Sequence, residues 1–215
     1  MDIAIAIPAR YASTRFPGKP LAVIAGKTML ARVIELARNT AQDLSDIEHL
    51  TISIFVTTED ARIAAHCEEI DTPCIMTDDT CKTGSDRVLA ALRQLDNWPD
   101  FVINLQGDAP FTPVSVLKNI IQACIDAPKS SVITPIHRLS WDALDALRGA
   151  KTDSPFSGTT AITDKDGKAI WFSKNIIPAI RKEDRSQPLS PIHQHMGLYA
   201  YRSDVLEQFC TLPEG

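Results

Sequence analysis

The feature that most constrains the fold is an apolar run at the start of the chain. Residues 3–7 read Ile-Ala-Ile-Ala-Ile, and the run stops at Pro8. An apolar run that is rich in β-branched residues and ends at a proline is typical of a strand buried on both faces, as strands are in parallel sheets. We therefore expect the chain to open with the buried first strand of a parallel sheet.

A basic loop follows this strand. It contains Arg10, Arg15 and Lys19 within ten positions and has no acidic residue. Parallel α/β sheets bind ligands beyond the carboxyl ends of their strands, and arginine and lysine side chains bind phosphate oxygens. A solvated basic loop without a ligand is the alternative. The position directly after the first strand favours a loop that binds a triphosphate.

Strand and helix patterns alternate along most of the chain. Apolar runs predict further strands at residues 51–57, 74–76, 101–105 and 131–135. Amphipathic patterns predict helices at residues 29–39, 59–70, 113–125 and 141–147, and another helix that ends near residue 95. Such alternation predicts an α/β fold in which a mainly parallel, twisted sheet is flanked by helices.

The later part of the chain has a different pattern. Residues 158–163 and 168–173 predict a β-hairpin about a turn at residues 164–167. A final strand is expected at residues 196–202. We interpret residues 154–202 as a β-hairpin-containing insertion over the ligand edge of the sheet. Because a chain of this length holds one α/β domain with a sizeable core, we expect a single domain over residues 1–215.

Composition argues against several classes of protein. The hydrophobic fraction of 44% and the charged fraction of 23% are ordinary for a globular protein. The net charge of -5 argues against general nucleic-acid binding, which needs a basic surplus. The five cysteines form no C-x-x-C pair, which favours reduced thiols. Since no signal peptide precedes the first strand and no apolar run approaches about 18 residues, we expect a cytoplasmic protein without membrane insertion.

Two polar segments add candidate ligand contacts. Thr83 and Ser85 lie near the start of a predicted helix, where free N–H groups attract anions, but simple helix capping is the alternative. Asp108 follows the strand predicted at residues 101–105, a position that suits Mg²⁺, and Gly107 would let the backbone approach a ligand closely. An aspartate at such a position is also common as a turn or capping residue. These residues alone leave both alternatives open.

Five motifs, spread over nearly the whole chain, resemble those of one family. They are IPARYASTRFPGKPL at residues 7–21, TGSDR at 83–87, NLQGDAP at 104–110, WFSK at 171–174 and HMGLYAYR at 195–202. In this order and spacing, the motifs resemble those of the 3-deoxy-manno-octulosonate cytidylyltransferases, also called CMP-Kdo synthetases. The resemblance implies a Rossmann-like nucleotidyltransferase fold, a reaction between CTP and an ulosonic acid sugar, and a place in lipopolysaccharide biosynthesis.

The resemblance also implies roles for individual residues. Catalytic roles fall to Arg10, Arg15, Lys19 and Asp108, and Asp108 is the implied ligand of Mg²⁺. The implied nucleotide-binding residues are Pro8, Ala9, Arg10, Arg15, Lys19, Thr83, Gly84, Ser85, Arg87 and Gln106. The implied sugar-binding residues are Gln106, Lys174, His195 and Tyr199. Taken alone, His195 is more typical of a structural histidine, and Tyr199 of core packing. In the implied reaction, the anomeric hydroxyl of the sugar displaces pyrophosphate from the α-phosphorus of CTP.

The chain departs from the family pattern at several positions. Cys81 stands where the family often has histidine, Ala109 where it usually has glutamate, and Lys174 where it usually has arginine. Family members continue past the position of Gly215 with segments that supply sugar contacts, a metal ligand and part of a dimer interface. The resemblance therefore leaves open a fragment and a natively short homologue. It also makes a homodimer an expectation.

Three functions compete on this basis. The leading hypothesis is a cytidylyltransferase for 3-deoxy-manno-octulosonate (Kdo). A catalytically weakened or inactive CTP-binding homologue is one alternative, because the C-terminal ligands of the family have no counterpart among these residues. An enzyme specific for 8-amino-Kdo is another, because Lys174 changes the basic group offered to the sugar. A nine-carbon sialic-type acceptor is disfavoured, since enzymes for those sugars carry paired glycines in the first loop and residues 11–15 do not.

Overall fold

The computed structural model describes residues 1–12 and 16–213. Its strands are β1 (Asp2–Pro8), β2 (Val23–Ile24), β3 (Lys27–Thr28), β4 (Thr51–Thr58), β5 (Cys74–Met76), β6 (Phe101–Asn104), β7 (Val132–Ile133), β8 (Ile136–Ser140), β9 (Thr159–Thr163), β10 (Ala169–Ser173), β11 (Leu189–His195) and β12 (Tyr199–Arg202). Its α-helices are α1 (Met29–Asp43), α2 (Ala61–Glu69), α3 (Gly84–Leu92), α4 (Val114–Asp126), α5 (Trp141–Asp153) and α6 (Ser203–Cys210), and Lys19–Leu21 form a 3-10 turn. Among the residues described, no helix is long and apolar enough to cross a bilayer.

The first compact unit consists of residues 1–133 and 198–215. Its six-stranded sheet has the order β5-β4-β1-β6-β12-β7. β1 pairs in parallel with β4 and with β6, and β4 pairs in parallel with β5. β12 runs antiparallel to both β6 and β7. The sheet is therefore mainly parallel, and the predicted α/β fold is confirmed.

Strand β1 lies at the centre of this core. On one face, Ile3, Ile5 and Ile7 join apolar residues of α1 and α4. On the other face, Ala4 and Ala6 join apolar residues of α3. Successive side chains of a strand point to opposite faces, so the Ile-Ala alternation places the large residues on one face and the small ones on the other. None of the five is more than 1% exposed, which confirms the buried first strand.

Residues 134–197 form the second compact unit. Its antiparallel sheet has the order β10-β9-β11-β8. The apolar core of this unit contains Trp141 and Leu144 of α5 together with Leu139 of β8 and Ile192 of β11. Strands β9 and β10 pair antiparallel, as the predicted hairpin requires, so that prediction is confirmed.

The bounds of this second unit differ from those of the predicted insertion at residues 154–202. The strand predicted at 131–135 is shorter in the structure, because β7 spans only Val132–Ile133 and a separate strand, β8, begins at Ile136. β7 pairs with β12 in the first sheet, whereas β8 pairs with β11 in the second. The predicted final strand is shorter than expected, since β12 starts at Tyr199. Strand β11 and helix α6 were not predicted from the sequence. The single domain and the cover over the ligand edge stay predictions.

Candidate active site

Two loops line a cavity at the carboxyl end of the parallel strands. Because β1 and β6 are adjacent and parallel, the loops that follow them meet at the same edge of the sheet. The amide of Gly107 donates to the Pro8 carbonyl at 3.3 Å, which joins the two loops directly. The cavity has a volume of about 660 Å³. Its lining residues are Pro8, Ala9, Arg10, Ala12, Phe16, Lys19, Pro20, Lys82, Gly84, Gln106, Gly107 and Asp108.

Lys19 and Asp108 form an ion pair in this cavity. The Nζ atom of Lys19 lies 2.6 Å from Oδ2 of Asp108. Gly18, with a φ of 72°, precedes the 3-10 turn that carries the lysine. The two side chains are 37% and 51% exposed. Exposed ion pairs contribute about 0–1 kcal/mol, so ligands with stronger charges can separate the two groups.

Arg10 supplies a second cation to the cavity. One of its Nη2 hydrogens is donated to the carbonyl of Cys81 in the loop before α3. A guanidinium has five N–H donors, so this contact fixes the side chain and leaves donors for a ligand. Arg15, the third predicted cation, lies outside the described residues.

Lys82 is a cavity residue that the sequence analysis missed. The sequence gives only weak evidence for a role of Lys82 in binding. The lysine directly precedes the motif that begins at Thr83, on a loop predicted to contact the ligand. With Arg10 and Lys19, it makes three cationic side chains around one carboxylate among the described lining residues. This electrostatic balance suits an anionic ligand accompanied by a cation.

Gly107 permits the close approach of the two loops. A Cβ atom on this residue would lie 2.9 Å from the Pro8 carbonyl oxygen and 3.4 Å from the Cβ of Ala9. The close approach expected at Gly107 therefore exists, but the neighbour is protein backbone. Gly84 packs less tightly, since a Cβ there would lie 3.4 Å from Cγ of Pro8.

The hydroxyl of Thr83 caps helix α3. Its Oγ1 accepts from the amide of Asp86 at 3.1 Å and donates to Oδ2 of Asp86 at 2.8 Å. The same carboxylate oxygen accepts from the Thr83 amide at 2.8 Å, which completes a capping box. Oγ of Ser85 accepts from Nδ2 of Asn104 at 3.4 Å. Of the two interpretations left open for Thr83, the structure contains the cap, and neither hydroxyl residue is among the cavity-lining residues described.

Arg87 is buried beneath this edge of the sheet. Its side chain is 1% exposed, and its Nη2 lies 2.8 Å from Oε2 of Glu59. Its Nη1 donates to Oγ1 of Thr77 at 2.7 Å. This burial leaves no surface for a ligand, which corrects the predicted nucleotide contact. Arg87 instead ties α3 to the residues that follow β4 and β5.

Gln106 and Tyr199 both lie near Asn104 of β6 in the first unit. Nε2 of Gln106, in the loop after β6, donates to Oδ1 of Asn104 at 3.2 Å. Tyr199 of β12 is opposite Asn104 in the strand register. The ring of Tyr199 stacks on that of Tyr201 with centroids 5.8 Å apart. Burial raises the pKa of Tyr199, so the phenol keeps its proton at neutral pH.

Lys174 and His195 come together around Thr159 in the second unit. Nζ of Lys174 donates to Oγ1 of Thr159 at 2.8 Å, and His195 is opposite Thr159 in the strand register. Nε2 of His195 lies 2.7 Å from Oγ1 of Thr134, and its ring meets that of Phe172 edge-on at 5.0 Å. Burial, and then the charge of Lys174, lower the pKa of His195, which keeps the imidazole neutral near pH 7.

The donor groups around Asp108 decide which metal ion fits. Within the described residues, no group of three or more His, Cys, Asp or Glu side chains is arranged to hold a metal. Asp108 offers one exposed carboxylate, with the amide of Gln106 lining the same cavity. Mg²⁺ is commonly held by one or two carboxylates together with substrate phosphates and waters. The donor set therefore fits Mg²⁺ that arrives with a polyphosphate, and does not fit a metal held by protein ligands alone.

Comparisons with known proteins give consistent results. A family model described as "Cytidylyltransferase" matches residues 4–214. The 3-deoxy-manno-octulosonate cytidylyltransferase of Maricaulis maris is 38% identical over 212 residues, which are 99% of this chain and 78% of that protein. The protein of the same name from Bacteroides thetaiotaomicron is 36% identical over 97% of this chain and 78% of its own length. A solved structure of CMP:2-keto-3-deoxy-manno-octonic acid synthetase complexed with CTP has a TM-score of 0.81 and 31% identity, over 100% of this chain and 80% of that one.

Proposed function

The chain belongs to the family of 3-deoxy-manno-octulosonate cytidylyltransferases and is a nucleotidyltransferase, and we propose that it activates Kdo with CTP. The anomeric hydroxyl of Kdo attacks the α-phosphorus of CTP and loses its proton. The bond from the α-phosphorus to the bridging oxygen breaks, and pyrophosphate leaves. The product, CMP-Kdo, would serve lipopolysaccharide biosynthesis.

The observation that carries the proposal is the shared cavity of Arg10, Lys19 and Asp108. Two cations suit the phosphate oxygens of CTP, and a guanidinium binds them in a bidentate manner. Transfer at phosphorus depends mostly on positioning and on stabilising the charge that develops. Arg10 and Lys19 would hold the phosphate chain while negative charge grows on the departing pyrophosphate.

Asp108 would hold Mg²⁺ jointly with the phosphate oxygens of CTP. When bound there, the ion supplies charge neutralisation for the phosphate groups. The carboxylate leaves Lys19 to do this, and the lysine turns to a phosphate oxygen. Because the pair is exposed, this exchange of partners costs little.

The acceptor sugar has a carboxylate and several hydroxyls. We propose that Lys174 provides the cation for the carboxylate, and that Gln106, His195 and Tyr199 provide neutral hydrogen-bonding groups. The lowered pKa of His195 supports a neutral role, since an uncharged imidazole both donates and accepts. A single ammonium at position 174 offers one point charge where a guanidinium would offer a fork.

The test is pyrophosphate release by the purified protein with CTP, Mg²⁺ and Kdo. We expect release that requires all three components and stops when EDTA removes the Mg²⁺. An assay with 8-amino-Kdo in parallel identifies the acceptor, and faster release with it would replace Kdo in the proposal. CTP binding without release with either sugar would support the inactive nucleotide-binding homologue. The homodimer and the cytoplasmic location stay predictions, and analytical ultracentrifugation tests the first.

A further inference from the structure

We propose that Tyr11 and Arg62 are positioning residues that hold the two ends of the basic loop in place. Neither residue lines the cavity among the residues described. Tyr11 lies in the loop itself, whereas Arg62 belongs to the first turn of α2. The inference concerns how the loop places Arg10 and Lys19, and it rests on the proposed binding of CTP for its functional readout.

The ring of Tyr11 fills the space next to Gly18. A Cβ atom on Gly18 would lie 3.0 Å from Cζ of Tyr11 and 3.1 Å from its Cε2 and hydroxyl oxygen. The Gly18 amide also donates to the Tyr11 carbonyl at 2.8 Å. With a φ of 72°, position 18 has the left-handed conformation that glycine adopts readily. Residues 11 and 18 are thus joined through both a side chain and the backbone.

The guanidinium of Arg62 stacks on the same ring. Its Cζ atom lies 3.3 Å from the centroid of Tyr11, which is a close cation–π contact. The guanidinium is itself fixed, because Nε and Nη2 donate to the two carboxylate oxygens of Asp60 at 2.9 and 2.6 Å. Asp60 also caps α2 by accepting from the Arg62 amide at 2.9 Å. The start of α2 therefore holds the ring of Tyr11 through Arg62, whose guanidinium is bound by Asp60.

Tyr11 and Gly18 are the chain neighbours of the two cavity cations. Arg10 directly precedes Tyr11, and Lys19 directly follows Gly18. The contact between residues 11 and 18 therefore fixes the backbone next to both cavity cations. Arg62 is 60% exposed, so its stacking on the ring is not forced by core packing. Arg62 therefore stabilises the loop conformation in which Arg10 and Lys19 line the cavity.

The experiment compares Tyr11→Ala, Arg62→Ala and the double variant with Tyr11→Phe, which keeps the ring. Arg202→Ala is the matched control, because Arg202 also forms a bidentate ion pair with an aspartate two residues away, Asp204, at 2.6 and 3.0 Å. The measurements are the dissociation constant for CTP by calorimetry and the hydrogen exchange rate of the Gly18 amide by mass spectrometry. Thermal unfolding is recorded for every variant.

We expect both alanine variants to weaken CTP binding and to speed Gly18 exchange by roughly three- to tenfold, the size of one cation–π contact. The double variant should bind CTP no more weakly than the more affected of the two single variants, because each single change removes the same contact. Tyr11→Phe and Arg202→Ala should stay within about twofold of the wild type on the same scale. Multiplicative effects in the double variant, or equal effects from Arg202→Ala, would overturn the proposal. If the wild type binds no CTP, the proposed function fails, and the exchange rates still decide the role of Tyr11 and Arg62.

Discussion

The ammonium of Lys19 and the carboxylate of Asp108 lie 2.6 Å apart, although 89 positions separate them along the chain. They meet because each follows a strand of the same parallel pair, β1 and β6. Both groups remain partly exposed to solvent, so neither charge needs the other to compensate for the loss of water. A nucleotide with its metal ion would offer each group a partner of higher charge. Lys19 and Asp108 can therefore exchange each other for a phosphate oxygen and the metal ion.

Lys19→Gln removes the cation and keeps a polar side chain of similar length. We expect kcat/KM for CTP to fall about 100-fold, because the charge that develops on the departing pyrophosphate loses a stabilising cation. The free energy of unfolding should change by less than about 1 kcal/mol, since the pair is exposed. Pyrophosphate release and urea unfolding measure the two quantities. Lys27→Gln is the control, because Lys27 forms a similar exposed pair with Glu35 at 2.8 Å outside the cavity. Comparable losses of activity in both variants would contradict the role of Lys19.

Gly107→Ala tests the close approach of the two loops. The added Cβ would lie 2.9 Å from the Pro8 carbonyl oxygen, a backbone atom that cannot turn aside. We expect unfolding to become easier by about 1–3 kcal/mol, the usual cost of overpacking, and activity to fall because Asp108 moves with its neighbour. Gly149→Ala is the control, since a Cβ there meets nothing within 4 Å and alanine favours helix α5. Full activity and stability in Gly107→Ala would show that the loops have room to separate.

Arg87→Met tests whether this arginine is structural. It would leave the largely buried carboxylate of Glu59 without its partner, and we expect a loss of about 3–5 kcal/mol in the free energy of unfolding. The second change Glu59→Gln should restore part of that loss, because it removes the unpaired charge. Arg93→Met is the control, since Arg93 pairs with Glu207 on the surface and should cost less than about 1 kcal/mol. Equal losses at positions 87 and 93, measured by urea unfolding, would contradict the distinction.

These residues also show how far the sequence could predict the site. Lys19 and Asp108 were predictable, because topology brings the carboxyl ends of parallel strands to one edge. The motif around Thr83 was less informative, since capping and anion binding favour the same residues at a helix start. Arg87 lies in that motif too, and only its burial against Glu59 separates a structural arginine from a ligand-binding one.

The second unit was harder to predict for a different reason. Residues 131–135 read as one apolar strand, but pairing partners decide where a short strand ends. Val132 pairs with Tyr201 in the first sheet, whereas Ile136 pairs with His195 in the second. Such partners lie more than fifty positions away along the chain, and local patterns do not encode them. The hairpin of β9 and β10 was predictable because its turn and partner are local.

We expect His193 and His195, both on β11, to make the stability of the second unit depend on pH. Burial lowers the pKa of both, and nearby positive charges lower it further: Arg138 and His137 for His193, and Lys174 for His195. A histidine whose pKa is lower in the folded state binds fewer protons there than in the unfolded chain between the two pKa values. Its contribution is therefore present above the unfolded pKa near 6.5 and is lost as the pH falls through the lower folded value.

We expect the free energy of unfolding to fall from pH 7.5 to pH 5, and the double change His193→Gln/His195→Gln to flatten that slope. Urea unfolding at each pH is the measurement, and His49→Asn, in the first unit at a positive φ that asparagine tolerates, is the control. An unchanged slope in the double variant would rule out these two histidines as its source.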